Sequence, residues 1–242
     1  MDVDKLKLKR RLKISLIAIA VIAMCTALFY YEVRSRTFQF FGELVSRTNP
    51  REKVIALTFD DGPSVYTKEI IQTLEQHNIK ATFFLIGREI EQNMEETKML
   101  IEAGEEIGNH SYSHERLILK SYSSIKSEIE KTDSLIRAAG YKNEILFRPP
   151  GCKKFIFLPY YLMQHNRKTI TWDVEPETYD EGTISAEKIS DYVINHTSPG
   201  SIILLHVMTQ SRTESRKALP EIIVKLQEKG YKFVTVSELL KY

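Results

Sequence analysis

Eighteen consecutive residues without a charge, Ile14 to Tyr31, stand apart from a chain that otherwise alternates short apolar runs with polar ones. As a helix this run spans about 27 Å at 1.5 Å per residue, close to the ~30 Å hydrocarbon core of a bilayer. A basic cluster precedes it, and Phe29, Tyr30 and Tyr31 close it. Basic flanks stay cytoplasmic and aromatic rings favour the interface. The pattern therefore predicts a single-pass transmembrane anchor over 14–31, with 1–13 inside the cell and everything after about Glu32 outside. A cleaved signal peptide and a lipoprotein signal are the alternatives. The run exceeds the usual apolar region of a signal peptide and lacks a clean A-x-A site. Ile22-Ala23-Met24-Cys25 resembles a lipobox, but Met24 is bulky where a small residue belongs. A buried core helix is disfavoured by the basic flank.

Residues 32–52 carry scattered charges, Phe38, Phe40, Phe41 and an Asn49-Pro50 breaker, and read as a juxtamembrane linker or interfacial helix. From 53 to 242, β-rich runs alternate with helical periodicity. Strands are predicted at Val54–Phe59, Ala81–Ile86, Glu106–Asn109, Ile145–Arg148, Thr169–Trp172, Ser201–Leu205 and Lys232–Val236. Helices are predicted near Thr67–His77, Met94–Ala103, Ser123–Ala139, Ser185–His196 and Ser215–Lys229. Repeated β-α alternation implies an α/β fold with a parallel sheet, and seven strands favour a closed or nearly closed barrel over an open doubly wound sheet.

Composition narrows the class. With 43% apolar and 27% charged residues the chain is neither disordered nor polytopic, and 242 residues allow one large domain plus an appendage. The net charge of +2 divides into +4 over residues 1–13 and −2 over the remainder. Such a body offers no electrostatic footprint for nucleic acid, which is not an expected partner. Cys25 and Cys152 are the two cysteines, so no disulfide framework is expected.

The polar residues that carry chemistry cluster at strand ends. Asp60-Asp61 follow the first predicted strand, His110 and His114 the third, Asp173 the fifth and His206 the sixth, while Arg148 closes the fourth. In a parallel α/β fold all strand C-termini face one side, so these groups converge on one mouth. Two imidazoles four residues apart can grip one ion, although an isolated pair is more often structural. With an aspartate from another strand end they make the two-histidine, one-carboxylate set of a catalytic zinc site. Adjacent aspartates suit a division of labour in which one ligates the ion and the other takes a proton from a water that the ion acidifies. A D-D-G-P turn capping the next helix is the plainer account. His206, closing an apolar strand, is placed to act as a general acid, where an isolated histidine would merely bond locally.

Together the T-F-D-D-G-P block at Thr58–Pro63, the H-S-x-x-H block at His110–His114, Arg148-Pro149-Pro150, Leu205-His206 and the Gly230–Leu239 tail resemble the polysaccharide deacetylase family, the NodB-homology domain of carbohydrate esterase family 4. The resemblance implies a distorted (β/α)7-8 barrel that removes acetyl groups from N-acetylated sugars. It implies Asp60 as general base, Asp61, His110 and His114 as ligands of a divalent ion, and His206 as general acid. Zinc is the default ion, with cobalt or nickel accommodated. Arg148 would orient the base and be held by a carboxylate of the fourth motif.

Two departures stand out. An ungapped overlay puts Gly151 where many members carry an aromatic residue and Cys152 where they carry glycine. Gly151 keeps the main-chain N–H that the family uses at the oxyanion, and Trp172 joins it among residues expected at the substrate. An aromatic restored at 151 is expected to tighten sugar binding unless the glycine needs φ > 0. In the fourth motif Thr178 cannot pair ionically with Arg148, which leaves Asp173 or Glu175 as its partner. A cysteine hydrolase built on Cys152 would leave the metal constellation unexplained. The expected function is metal-dependent N-deacetylation of an extracellular glycan such as peptidoglycan or a chitin-like polymer. The alternative is a catalytically impaired glycan-binding or morphogenetic protein on the same fold.

Overall fold

The computed structural model describes residues 3–179 and 184–242. In chain order the elements are α1 (Val3–Arg34), β1 (Leu44–Val45), β2 (Val54–Asp60), α2 (Thr67–Gln76), β3 (Thr82–Leu85), α3 (Gly87–Gln92), α4 (Met94–Glu102), β4 (Glu106–Asn109) and α5 (Tyr122–Ala138). There follow α6 (Phe157–Gln164), β5 (Thr169–Ile170), α7 (Ala186–His196), β6 (Ile202–Leu205), α8 (Thr213–Glu228), β7 (Lys232–Val234) and α9 (Val236–Leu239).

β2 is buried along its whole length, as a strand covered on both faces must be, and every partner it has is parallel. β6 lies along one edge. The other edge is shared, with β7 against Val54–Ala56 and β3 against Thr58–Asp60. Beyond β3 comes β4. The remaining circuit is made of single bridges: Asn109 to Phe147, Phe147 to Thr169, and Val174 to Ile203 of β6. The result is a barrel with one laddered half and one bridged half. The predicted strand over Ile145–Arg148 is reduced to Phe147 because Pro149 and Pro150 follow at once and have no N–H to donate. The predicted end of the last strand gives way to α9. Thr235 caps that helix by accepting from Glu238 N–H while the Glu238 carboxylate accepts from Thr235 N–H.

Alternation decides what faces inward. Ile55, Leu57 and Phe59 of β2, Phe83 and Leu85 of β3, Ile107 of β4 and Ile203 and Leu205 of β6 pack in one cluster with Ile70, Leu74, Ile189 and Leu219 of the surrounding helices. Val54, Ala56, Phe84, Ile170, Ile202 and Leu204 fill the interior. Counting by twos along each strand carries Thr58 and Asp60, His110, Trp172 and His206 onto that interior side.

Residues 32–52 differ from the expected linker. Glu32, Val33 and Ser35 are buried, β1 pairs with β5, Arg47 bridges Ser201, and Thr48 N–H donates to Gly200 O at 2.9 Å. Gly200 has φ +85°, and a Cβ there would sit 2.2 Å from the Thr48 carbonyl oxygen, so the segment docks on a position that only glycine allows. Among the described residues Lys7–Arg34 is the one helix long and apolar enough to cross a membrane, and its apolar window is not buried against the body.

Candidate active site

β2 delivers two carboxylates in different directions. Asp60 ends the strand in extended geometry and is almost wholly buried, whereas Asp61 turns left-handed with φ 67°, a conformation that aspartate tolerates better than most residues. Arg148 Nη1 donates to Asp60 Oδ1 at 2.6 Å and to Thr58 Oγ1 at 2.8 Å, and Nη2 donates to Thr171 O at 3.1 Å. The guanidinium also lies 4.0 Å from the Phe84 ring centroid. Burial opposes charge on Asp60, but Arg148, His110 and His206 outweigh it and hold the carboxyl below its ordinary range.

β4 delivers His110. Its Nδ1–H donates to Arg148 O at 2.8 Å, which leaves Nε2 with a free lone pair, the arrangement of a metal-ligating histidine. Burial is the largest influence on this ring and, against the pull of Asp60, keeps its pKa below normal, so the neutral, ligating form is favoured. The loop to His114 is fastened from beneath. Asn109 Oδ1 accepts from Ser111 N–H, and Glu128 Oε2 of α5 accepts from Tyr112 and Ser113 N–H at 3.0 and 2.8 Å.

A divalent ion fits the donors that meet here. One ligand atom each from Asp61, His110 and His114 lies within 4.8 Å of the others. Asp61 Oδ1 is buried without a hydrogen bond, 3.3 Å from His114 Nε2, an orphaned acceptor of the kind a cation satisfies.

Across the cavity, His206 follows β6. Its N–H donates to Glu177 Oε2 at 3.0 Å, its Nδ1 bonds the same carboxylate, and the Ser215 hydroxyl donates to it as well. Burial works against charge on the imidazole, but the hydrogen bond and charge of Glu177, with Asp60 and Asp61, lift its pKa to about 9. At neutral pH His206 is a proton donor. Glu177, part of the Trp172–Tyr179 stretch, is the functional residue that sequence reasoning missed. Its location follows from Val174 bridging to Ile203, which sets this stretch beside β6.

Neither carboxylate foreseen for Arg148 bonds it. Asp173 accepts from Ser201 Oγ and Ile202 N–H, and Glu175 accepts from Trp172 Nε1 at 2.7 Å and Arg36 at 2.5 Å. The fourth-motif acids are used to close the barrel and to seat the tryptophan, and the charge that holds Arg148 is Asp60 itself, with Glu175 acting on it only through space. Thr178 falls in the short 3-10 turn Pro176–Tyr179.

Gly151 has φ 54° and ψ 26°, which is the exception under which an aromatic residue is not expected to be restored there: the left-handed turn disfavours any side chain. Cys152 is buried, its thiol donates to Ser35 O at 3.4 Å, and burial pushes its pKa up, which is the opposite of an activated nucleophile. Asp60, His110, His114, Gly151, Trp172, Glu177 and His206 all line one cavity of about 870 Å³, with Arg34, Arg36, Arg116, Lys153 and Arg212 around it.

Residues 47–155 match the polysaccharide deacetylase family model. A peptidoglycan-N-acetylglucosamine deacetylase of Bacillus cereus is 34% identical over 197 residues, which cover 79% of this chain and 90% of that one. The chain belongs to the polysaccharide deacetylase family. The peptidoglycan-N-acetylmuramic acid deacetylase PdaC of Bacillus subtilis is 35% identical over 195 residues, 79% of this chain and 39% of PdaC. Among solved structures, BA3943 of Bacillus anthracis, described as a CE4 family pseudoenzyme, superposes with a TM-score of 0.73 at 32% identity, covering 81% of this chain and 68% of that one. The fold of this family therefore occurs both in deacetylases and in a protein described as a pseudoenzyme.

Proposed function

We propose that the protein is a divalent-metal-dependent deacetylase of N-acetylated sugars in peptidoglycan, held at the cell membrane by residues 14–31 with 1–13 cytoplasmic and the barrel outside. One observation carries the catalytic reading. A carboxylate kept charged by Arg148 and an imidazole kept protonated by Glu177 line the same cavity as His110 and His114, which with Asp61 form a three-donor set suited to a cation. A binding module has no use for a poised base and acid around such a set.

Asp61, His110 and His114 would hold the ion, with Zn²⁺ the first choice for a two-imidazole, one-carboxylate set and Co²⁺ or Ni²⁺ also suited. When bound, the ion polarises the acyl carbonyl and acidifies the attacking water. Asp60 takes the water's proton, and Arg148 fixes the carboxylate that receives it. The N–H of Gly151 is offered to the oxygen on which charge develops, in the cavity that the Trp172 ring also lines. His206 gives its proton to the departing amine, so the products are acetate and a free amino sugar, and Glu177 keeps the donor charged beforehand. The named activities of the relatives support peptidoglycan over a chitin-like polymer.

The test is acetate release from purified peptidoglycan by the full chain, before and after chelation and after Zn²⁺ is restored. Release that stops with chelator and returns with zinc supports the reading. A fully metal-loaded protein that frees no acetate from peptidoglycan or chitooligosaccharides would instead favour a glycan-binding or morphogenetic role on the same fold.

A further inference from the structure

Outside α1, every exposed large apolar side chain among the described residues except Val65 and Tyr242 gathers on one flank of the barrel. Leu119 is 73% exposed, Phe40 53% and Phe157 49%, in company with Phe38, Ile156 and Tyr160. The surface is continuous: Phe38 meets Phe40, Phe40 meets Phe155, Phe41 meets Tyr160, and Leu119, Phe155, Ile156 and Phe157 line one groove together with Lys120. Leu119 is presented at φ 54°, a backbone state that a leucine avoids unless its surroundings hold it there. Apolar surface collected in this way on an otherwise charged body marks a docking face.

The anchor helix shows what covers it. Phe155 packs edge-on against Phe29 with ring centroids 4.8 Å apart. Phe29 lies inside the uncharged run, about 7.5 Å back from the end of α1 at 1.5 Å per residue. If the run is in the bilayer, Phe155 is at its boundary, and the groove beside it is carried there too. The neighbouring cations fit the same occupant. Lys120 edges the groove, and Arg34, Arg116 and Lys153 line the adjoining catalytic cavity. Aromatic rings and leucines ringed by basic groups suit an anionic headgroup layer.

We propose that this flank is seated in the outer leaflet of an anionic phospholipid membrane, so that the catalytic domain lies on the bilayer rather than swinging from a tether. The proposal rests on the anchor reading above. Its consequence follows from Arg34, the last residue of α1, and Arg36 just beyond it, both of which line the cavity. The active site opens at headgroup level, and the glycan within reach is that lying against the membrane surface.

The test uses the full chain in vesicles of phosphatidylethanolamine and phosphatidylglycerol. A Cys25→Ser background leaves only buried Cys152, and single variants Leu119→Cys, Phe157→Cys, Val65→Cys and Ile19→Cys carry an environment-sensitive fluorophore. Nitroxide-labelled lipid should quench the 119 and 157 probes several-fold more than the 65 probe. Quenching at 19 with 119 and 157 no more quenched than 65 overturns the docking and leaves the anchor standing. No quenching at any position, 19 included, removes the anchor and the docking with it. Probes at 119 and 157 that are shielded from aqueous iodide yet untouched by lipid nitroxide also overturn the proposal, since a second copy of the chain would then cover the face.

Discussion

The laddered and bridged halves of the barrel do different work. In the laddered half, β2, β4 and β6 run in register and carry Asp60, Asp61, His110 and His206 at or just past their ends. In the bridged half, Phe147, Thr169 and Val174 make single contacts, and the chain around them supplies Arg148, Gly151, Trp172 and Glu177. Ladders fix side-chain direction by strict alternation, which suits donors that must converge on a point. Bridges release the backbone to turn, and a left-handed Gly151 and a short helical turn at Glu177 become available there. Groups of the second half bond groups of the first, Arg148 to Asp60 and Glu177 to His206.

The comparison breaks most visibly at the metal. His114→Ala should abolish stoichiometric zinc binding and activity together while the barrel stays folded, because His114 lies at the exposed mouth. Zinc retained at one equivalent, measured by metal analysis of the purified variant, would refute its assignment.

Next in size is Asp60→Asn. An amide cannot take the proton, so kcat should fall ~10²–10⁴-fold with metal retained. The same loss is expected for His206→Ala, and near wild-type turnover in either variant would show that the laddered half does not hold the acid and base.

A smaller and more diagnostic change comes from the bridged half. Glu177→Gln removes the charge that lifts His206, so kcat should drop roughly 10–100-fold, as for loss of a carboxylate behind a working histidine. The alkaline limb of the pH profile should also move down from about 9. The same pair links to stability. The folded-state pKa of His206 stands above its ordinary 6.5, so its contribution is full below pH 6.5 and is lost as pH rises through about 9. Thermal melts across that window should slope downward in the wild type and flatten in the variant. An unshifted limb would mean that Glu177 acts only as packing.

The smallest effect is at Gly151. Gly151→Tyr should lower stability by ~1–2 kcal/mol, the penalty for an L-residue held left-handed, without any gain in KM for an oligosaccharide. A lower KM at unchanged stability would show that the turn adapts to a side chain.

Much of the laddered half could be read in the sequence. T-F-D-D-G-P after a β-rich run, H-S-x-x-H after another and a histidine closing I-I-L-L each place a polar group at the end of a buried strand, and strand ends share one face. Glu177 could not be found in that way. Its partner lies 29 residues away, and the two meet because Val174 crosses to Ile203, a pairing made by one residue with no periodicity to betray it. The supposed partners of Arg148 were misplaced for the same reason. Asp173 and Glu175 look equivalent to Glu177 as letters, and only the direction of the backbone between Trp172 and Tyr179 separates them.

By itself the sequence determined the apolar helix, the α/β alternation and the gathering of Asp60, Asp61, His110, His114 and His206 at strand ends, because each depends on local spacing or on parity along a strand. The tertiary structure alone decided that residues 32–52 pack into the barrel wall, that Gly151 is left-handed, that Glu177 bonds His206 and that the aromatic end of α1 continues onto one flank of the domain. Those features depend on which distant segments touch, and contacts between distant segments are set by the packing of the whole core, which no window of the chain contains.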